Sequence, residues 1–272
     1  MPRMGIFCLV TGLLGGVSLS MRAAEPWREL EGKGFVILSD APLREVEGFA
    51  LAYSAFYQAF DSLFVSENRN LPRSTLLLFG SNKDFRNHLA KEAKSGMETI
   101  GYSIEVDGTP ISTFSIGGGR QRALQIAFEA EGIWAIRRLG YFMPIWMTQG
   151  AGQVLSTVEV AKNRYTLGED TRGFESLLRQ SAWLQWNRFF DVHVGSKEYE
   201  TGGDTSYHAQ AWALMHWILL KDDQGPQRFK ELAALLRTHT ALEAVQKVMQ
   251  EKPDRFQGAI EAHIRRAAKG RK

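Results

Sequence analysis

The residues able to do chemistry are few and scattered along the 272-residue chain. Glu129 and Glu131 stand two apart in an apolar stretch of helical character. Residues two apart on a helix point in different directions, so the two carboxylates make a poor acid/base pair for glycoside hydrolysis. Tyr207 and His208 are neighbours further on. His208 and His216 are separated by about 12 Å of helix rise, too far to hold one metal ion. His88, His193, His239 and His263 have no partner ligand near them in sequence. Histidine spacing therefore gives no metal cluster. For a hydrolase without metal, the available titratable groups are Glu129, Glu131, Glu159, Tyr207 and His208, and their spacing shows no nucleophile–base–orienter set. Gly117-Gly118-Gly119 lacks the Gly-Lys-Ser/Thr that would make it a phosphate loop.

The elements around these residues are more legible. The stretch 121–158 begins as an amphipathic helix carrying Leu124, Phe128, Trp134 and Ile136, with Arg137 and Arg138 in its last turn, where cations suit the helix dipole. Gly140 stops that helix, Pro144 blocks its continuation, and a second helical run covers 149–158. Upstream, 34–39 and 74–79 read as strands, and 43–64 as a long helix with Asp40 as its cap. Ser81 and Asp84 form a capping box for a short helix. Residues 101–106 and 109–116 pair as a hairpin around Asp107-Gly108. Downstream, 162–173 is a polar connection, 174–186 is helical, 187–205 is less regular and 206–220 is a strong helix. Residues 227–236, a Thr240–Glu243 capped helix and 255–268 follow. The reading gives an α+β fold: a small mixed sheet with a central helix, then a mainly helical C-terminal part.

Two stretches carry a family resemblance. Pro144-Ile145-Trp146-Met147-Thr148-Gln149-Gly150 is similar to the Pro-x-Trp-x-x-Glu-Gly of gluzincin-type zinc metallopeptidases. The group it resembles most is the peptidase-MA-like set of extracytoplasmic bacterial proteins. Ala209-Gln210-Ala211-Trp212-Ala213-Leu214 matches the family's Tyr-Ala-Gln-x-Trp-Ala-Leu helix after its tyrosine, with His208 at the tyrosine position and Tyr207 one place early. The resemblance implies a zincin-like fold, with Phe128-Glu129-Ala130-Glu131-Gly132 standing where the family has His-Glu-x-x-His. Phe128, Gly132 and Gln149 then occupy the three zinc-ligand positions, and only Glu129 keeps the residue type of the general base. Zinc needs imidazole, thiolate or carboxylate donors, so the resemblance implies a scaffold without its metal and without a cofactor. Glu129 is the retained catalytic position, and Tyr207 or His208 stands where the family steadies a tetrahedral intermediate. Phe128, Trp134, Trp146 and Gln149 are cleft candidates for a bound ligand, and the three aromatic residues read equally as core. The resemblance also implies that 111–116 is the sheet edge that pairs with extended substrate.

Composition bounds the rest. The chain is 44% hydrophobic and 23% charged, ordinary for a globular protein with a substantial core. Residues 1–24 read as a signal peptide with Arg3 ahead of an apolar run, and 25–272 as a single degenerate metallopeptidase-like domain. An uncleaved anchor is the alternative for the first segment. The run falls short of the ~20 residues that span a bilayer, and no later stretch is long enough. Removing 1–24 takes away Arg3, Arg22 and no acid, leaving a formal charge of +1. No basic excess points to nucleic acid. The sole cysteine, Cys8, goes with the leader. The expected role is a catalytically inactive, periplasmic or secreted protein that binds peptide, another extended ligand or an envelope-protein partner. The alternatives are a hydrolase with a non-metal mechanism and a purely structural envelope protein.

Overall fold

The computed structural model describes residues 27–64, 73–89, 101–106, 108–140, 142–161, 164–170, 173–180, 182–200 and 206–269. The expected signal peptide, Cys8 and residues 270–272 lie outside the described residues. The architecture is α+β. The chain divides into two compact units, one formed by 1–57 and 70–130, the other by 58–69 and 131–272.

The first unit holds a five-stranded sheet of β1 (Arg28–Gly32), β2 (Phe35–Ser39), β3 (Ser74–Phe79), β4 (Gly101–Val106) and β5 (Thr109–Ser115), in the order β1-β2-β3-β5-β4. The inner pairs β2–β3 and β3–β5 are parallel, and both outer pairs are antiparallel. Alternation along each strand sends Phe35, Ile37, Leu76, Leu78 and Phe114 to one buried face. The aromatic stripe of α1 (Leu43–Phe64) covers that face, with Phe35 against Tyr53 at 5.3 Å and against Tyr57 at 6.0 Å. On the opposite face Val36, Leu38, Leu77 and Ile111 are half-buried. Near one end of that face, α2 (Asn82–His88) caps on Ser81 and packs Phe85 with Phe79 and Leu89 against Leu77. The His88 ring rests against Phe79 at 5.2 Å. Asp40, expected to cap α1, instead accepts the Gly80 N–H at 2.7 Å, tying the end of β3 to the end of β2.

The hairpin reading of 101–116 holds: β4 and β5 pair antiparallel from Val106↔Thr109 to Gly101↔Phe114. The edge assignment does not. β5, which contains most of 111–116, is paired on both sides, to β3 and to β4. A strand so paired has no free backbone edge to offer a substrate, and β4 takes the end position.

The second unit is helical apart from a small hairpin, β6 (Glu159–Ala161) with β7 (Arg164–Thr166), where a plain polar connection was expected. The division falls inside α1 and inside α3 (Arg120–Arg137), so each helix contributes to both units. The remaining helices are α4 (Ile145–Leu155), α5 (Phe174–Gln180), α6 (Trp186–Phe190), α7 (Lys197–Glu200), α8 (Ser206–Leu220), α9 (Gly225–Leu235), α10 (Ala241–Met249) and α11 (Phe256–Lys269). α8 lies at the centre, buried at every position from Tyr207 to Leu219. α4 begins four residues earlier than expected, because Pro144 serves as its N-cap rather than as a barrier, and a helix start needs no N–H from that residue. The helix expected over 174–186 is two short ones, α5 and α6. Between them Leu184 gives its backbone N–H and C=O to the Gln210 amide, at 3.0 and 3.2 Å, in place of helical partners. Among the described residues no helix is long and apolar enough to cross a membrane.

Candidate functional site

The site suggested by sequence begins on α3. In the first unit, Phe128 is fully buried and stacks on Phe56 at 5.0 Å, with Tyr53 at 5.3 Å. Tyr53 also reaches the Ala127 carbonyl. Phe128 is a core ring and lines no cleft. Glu129 beside it is half-buried.

One turn later, in the second unit, Gly132 is where α3 meets α4. A Cβ on Gly132 would lie 2.9 Å from Leu155 Cδ1 and 3.2 Å from Gly152 Cα. An imidazole at that position has no room unless Leu155 and the α4 backbone move. Glu131 is 1% exposed, a buried carboxylate on the α3 turn that ends at this crossing.

α4 carries Trp146, Gln149 and Gln153. Trp146 is fully buried against Phe189 and Phe190, at 6.1 and 5.2 Å, so it too belongs to the core rather than to a cleft. Trp134 is half-buried, with the Arg138 guanidinium 5.5 Å from its ring centre, which leaves part of the indole at the surface. Gln149 is nearly buried. On its far side α4 runs against α8 at Gly150, where a Cβ would run into the Ala211 carbonyl and lie 2.8 Å from Met215 Cγ. Tyr207 and His208, at the start of α8, are both buried, with Tyr199 5.7 Å from the His208 ring. Burial pushes the Tyr207 hydroxyl well above the ordinary range, and among the described residues its oxygen meets no hydrogen-bond partner. A phenol in that setting keeps its proton.

The residues present do not fit zinc. Phe128 and Gly132 bring no donor atom, Gln149 brings a neutral amide, and packing has filled the space at two of the three positions. Among the described residues no group of three or more histidine, cysteine, aspartate or glutamate side chains is placed to hold a metal. A serine–histidine pair exists at the surface, with Ser196 Oγ 3.1 Å from His193 Nδ1. The same nitrogen lies 3.2 Å from the Asp191 carbonyl, which accepts only, so Nδ1 carries a proton and cannot take one from serine. The pair closes a turn.

Sequence reasoning missed three features. The first is the end position of β4, unpaired on its outer side among the described residues, with Ile104 and Val106 49% and 45% exposed. The second is Gln153, buried with both amide atoms lacking a hydrogen-bond partner among the described residues. The third is a buried pair, His216 and His263, whose sequence separation of 47 hid it from any reading of local spacing. Compared with known proteins, the chain matches no family model and no curated protein.

Proposed function

We propose that the chain is a non-hydrolytic, metallopeptidase-like protein that works outside the cytoplasm by binding an extended peptide along the open edge of β4. The observation that carries the reading is Gly132. The position aligned with a zinc-binding histidine is a point of close helix contact, filled by Leu155 and the Gly152 backbone. The burial of Phe128 against Phe56 supports it. Binding rather than catalysis is supported by the sheet. Among the described residues no strand pairs with the outer side of β4, which supports that side as the place where a strand adds. Ile104 sits opposite Ile111 and therefore on the face that carries Val36, Leu38 and Leu77. An added peptide would place alternate side chains on that apolar face, which favours ligands with apolar residues at every second position.

Two measurements test this. After incubation with zinc and dialysis, elemental analysis should find far less than one zinc per chain; a stoichiometric, retained ion would overturn the metal-free reading. Peptides of alternating apolar pattern should slow amide exchange in 101–106, and Ile104→Lys should weaken that effect at least tenfold. Protection elsewhere with 101–106 unchanged would remove β4 as the binding edge.

A further inference from the structure

His216 of α8 and His263 of α11 form a directional string of hydrogen bonds in the second unit. His216 Nε2 lies 2.8 Å from the Gly168 carbonyl oxygen, and His216 Nδ1 lies 2.8 Å from His263 Nε2. A carbonyl only accepts, so His216 carries its proton on Nε2. When the ring is neutral its Nδ1 is then the acceptor, and His263 Nε2–H donates. Both rings are buried, at 2% and 5% exposure. Gly168 is held from its other side as well, since its N–H donates to Thr157 Oγ1 at 2.6 Å. Two residues on, Asp170 accepts the N–H groups of Phe174 and Glu175 and so starts α5. The string thus joins α11, α8 and the segment that launches α5.

The charges facing His263 are positive: Arg266 on α11, Lys221 at the end of α8 and Arg228 on α9. Lys221 and Arg228 both lie over the Trp217 ring, at 4.4 and 5.4 Å. Asp222 is engaged by Arg228 at 2.6 Å. On the α5 side, Glu175 pairs with Arg179, and Glu261 of α11 with Arg265, around a shared groove. Burial first, and then these cations, hold His263 down at about 4, against the opposing pull of its bond to His216.

We propose that this string is an acid-released latch, which fastens α11 and the 164–170 segment to α8 while both rings are neutral. An added proton enters on His263 Nδ1, leaves the Nε2–H bond to His216 in place, and makes the ring a cation buried beside Lys221, Arg228 and Arg266, which favours release of the ring to water. The sign follows from the two states. The released ring binds protons near its ordinary value of 6.5 and the latched ring near 4, so the latch is fully closed above pH 6.5 and weakens as pH falls toward 4. The full interval corresponds to about 300-fold in the opening equilibrium.

The test is amide exchange of the full chain between pH 7 and 4, after correction for intrinsic rates. In the wild type, protection in 256–269 and 164–170 should fall by tens- to 300-fold, while 145–155 keeps its protection. The double variant His216→Asn, His263→Gln replaces each ring by an amide that can donate and accept without titrating, and should lose the acid effect. Equal acid sensitivity in the variant, or simultaneous loss across all helices, would overturn the latch. Should the variant fail to fold, NMR titration of the wild-type rings decides. His263 titrating below 5 together with the loss of α11 protection supports the proposal, and titration near 6.5 with α11 still protected ends it.

Discussion

Gln153 is buried beside Thr157, Glu169, Asp170, Phe174 and Trp212, and among the described residues neither end of its amide is bonded. A buried polar group without a partner costs roughly 1–3 kcal/mol. Gln153→Met, close in volume and without the amide, should therefore raise the urea midpoint, by about 1 kcal/mol in stability. A loss of stability would mean that the amide is bonded after all. The two close-contact glycines differ in a measurable way. At Gly132 the first atom that a methyl meets is the end of Leu155, which can rotate. Alanine also gains up to about 1 kcal/mol of helix propensity there, so Gly132→Ala should change stability by no more than about 1–2 kcal/mol. At Gly150 the obstacle is the Ala211 backbone, which cannot rotate away, and Gly150→Ala should cost about 3 kcal/mol or prevent folding. Similar losses for the two, read from urea unfolding, would refute this account. None of the three environments was legible in the sequence, because each depends on what a second helix places opposite.

Helices were read best where one face is apolar or a cap is chemical. α8 was legible to the residue because 206–220 is apolar almost all round. The Thr240–Glu243 capping box is present in full, with Thr240 Oγ1 accepting the Glu243 N–H and the Glu243 carboxylate accepting the Thr240 N–H. Thr240→Ala should lower stability by about 1 kcal/mol, visible as a fall in Tm of a few degrees. No change would mean that α10 is held by its buried face alone. Misreadings arose where the pattern was ambiguous. Leu177, Leu178, Trp183 and Leu184 look continuous in sequence, but the backbone breaks before α6 to reach Gln210. β1 was missed because Arg28, Glu29 and Glu31 do not read as a strand, and charges of that kind are what keep an edge from pairing. β4 has no such guard at Ile104 and Val106, which is why it, and not β1, is the edge proposed to bind.

For the whole chain, the class was legible and the long-range order was not. Alternating strands and a helical second half sufficed for α+β, whereas the strand order and the His216–His263 pair join distant parts of the chain. A chain that binds no metal in its folded state gains nothing from one by mass action. Its Tm should be the same with excess zinc as with a chelator, and a rise of several degrees with zinc alone would contradict the reading of Phe128, Gly132 and Gln149. One feature of α4 also bears on how such sequences diverge. Gly150 faces α8 and Gly152 faces α3, on nearly opposite sides of the same helix, so α4 touches a neighbour backbone-close on each flank. The residue at 150 then acts as a gauge of helix spacing. Relatives that keep glycine there should preserve this distance, and relatives with a larger residue must have spread α4 and α8 apart.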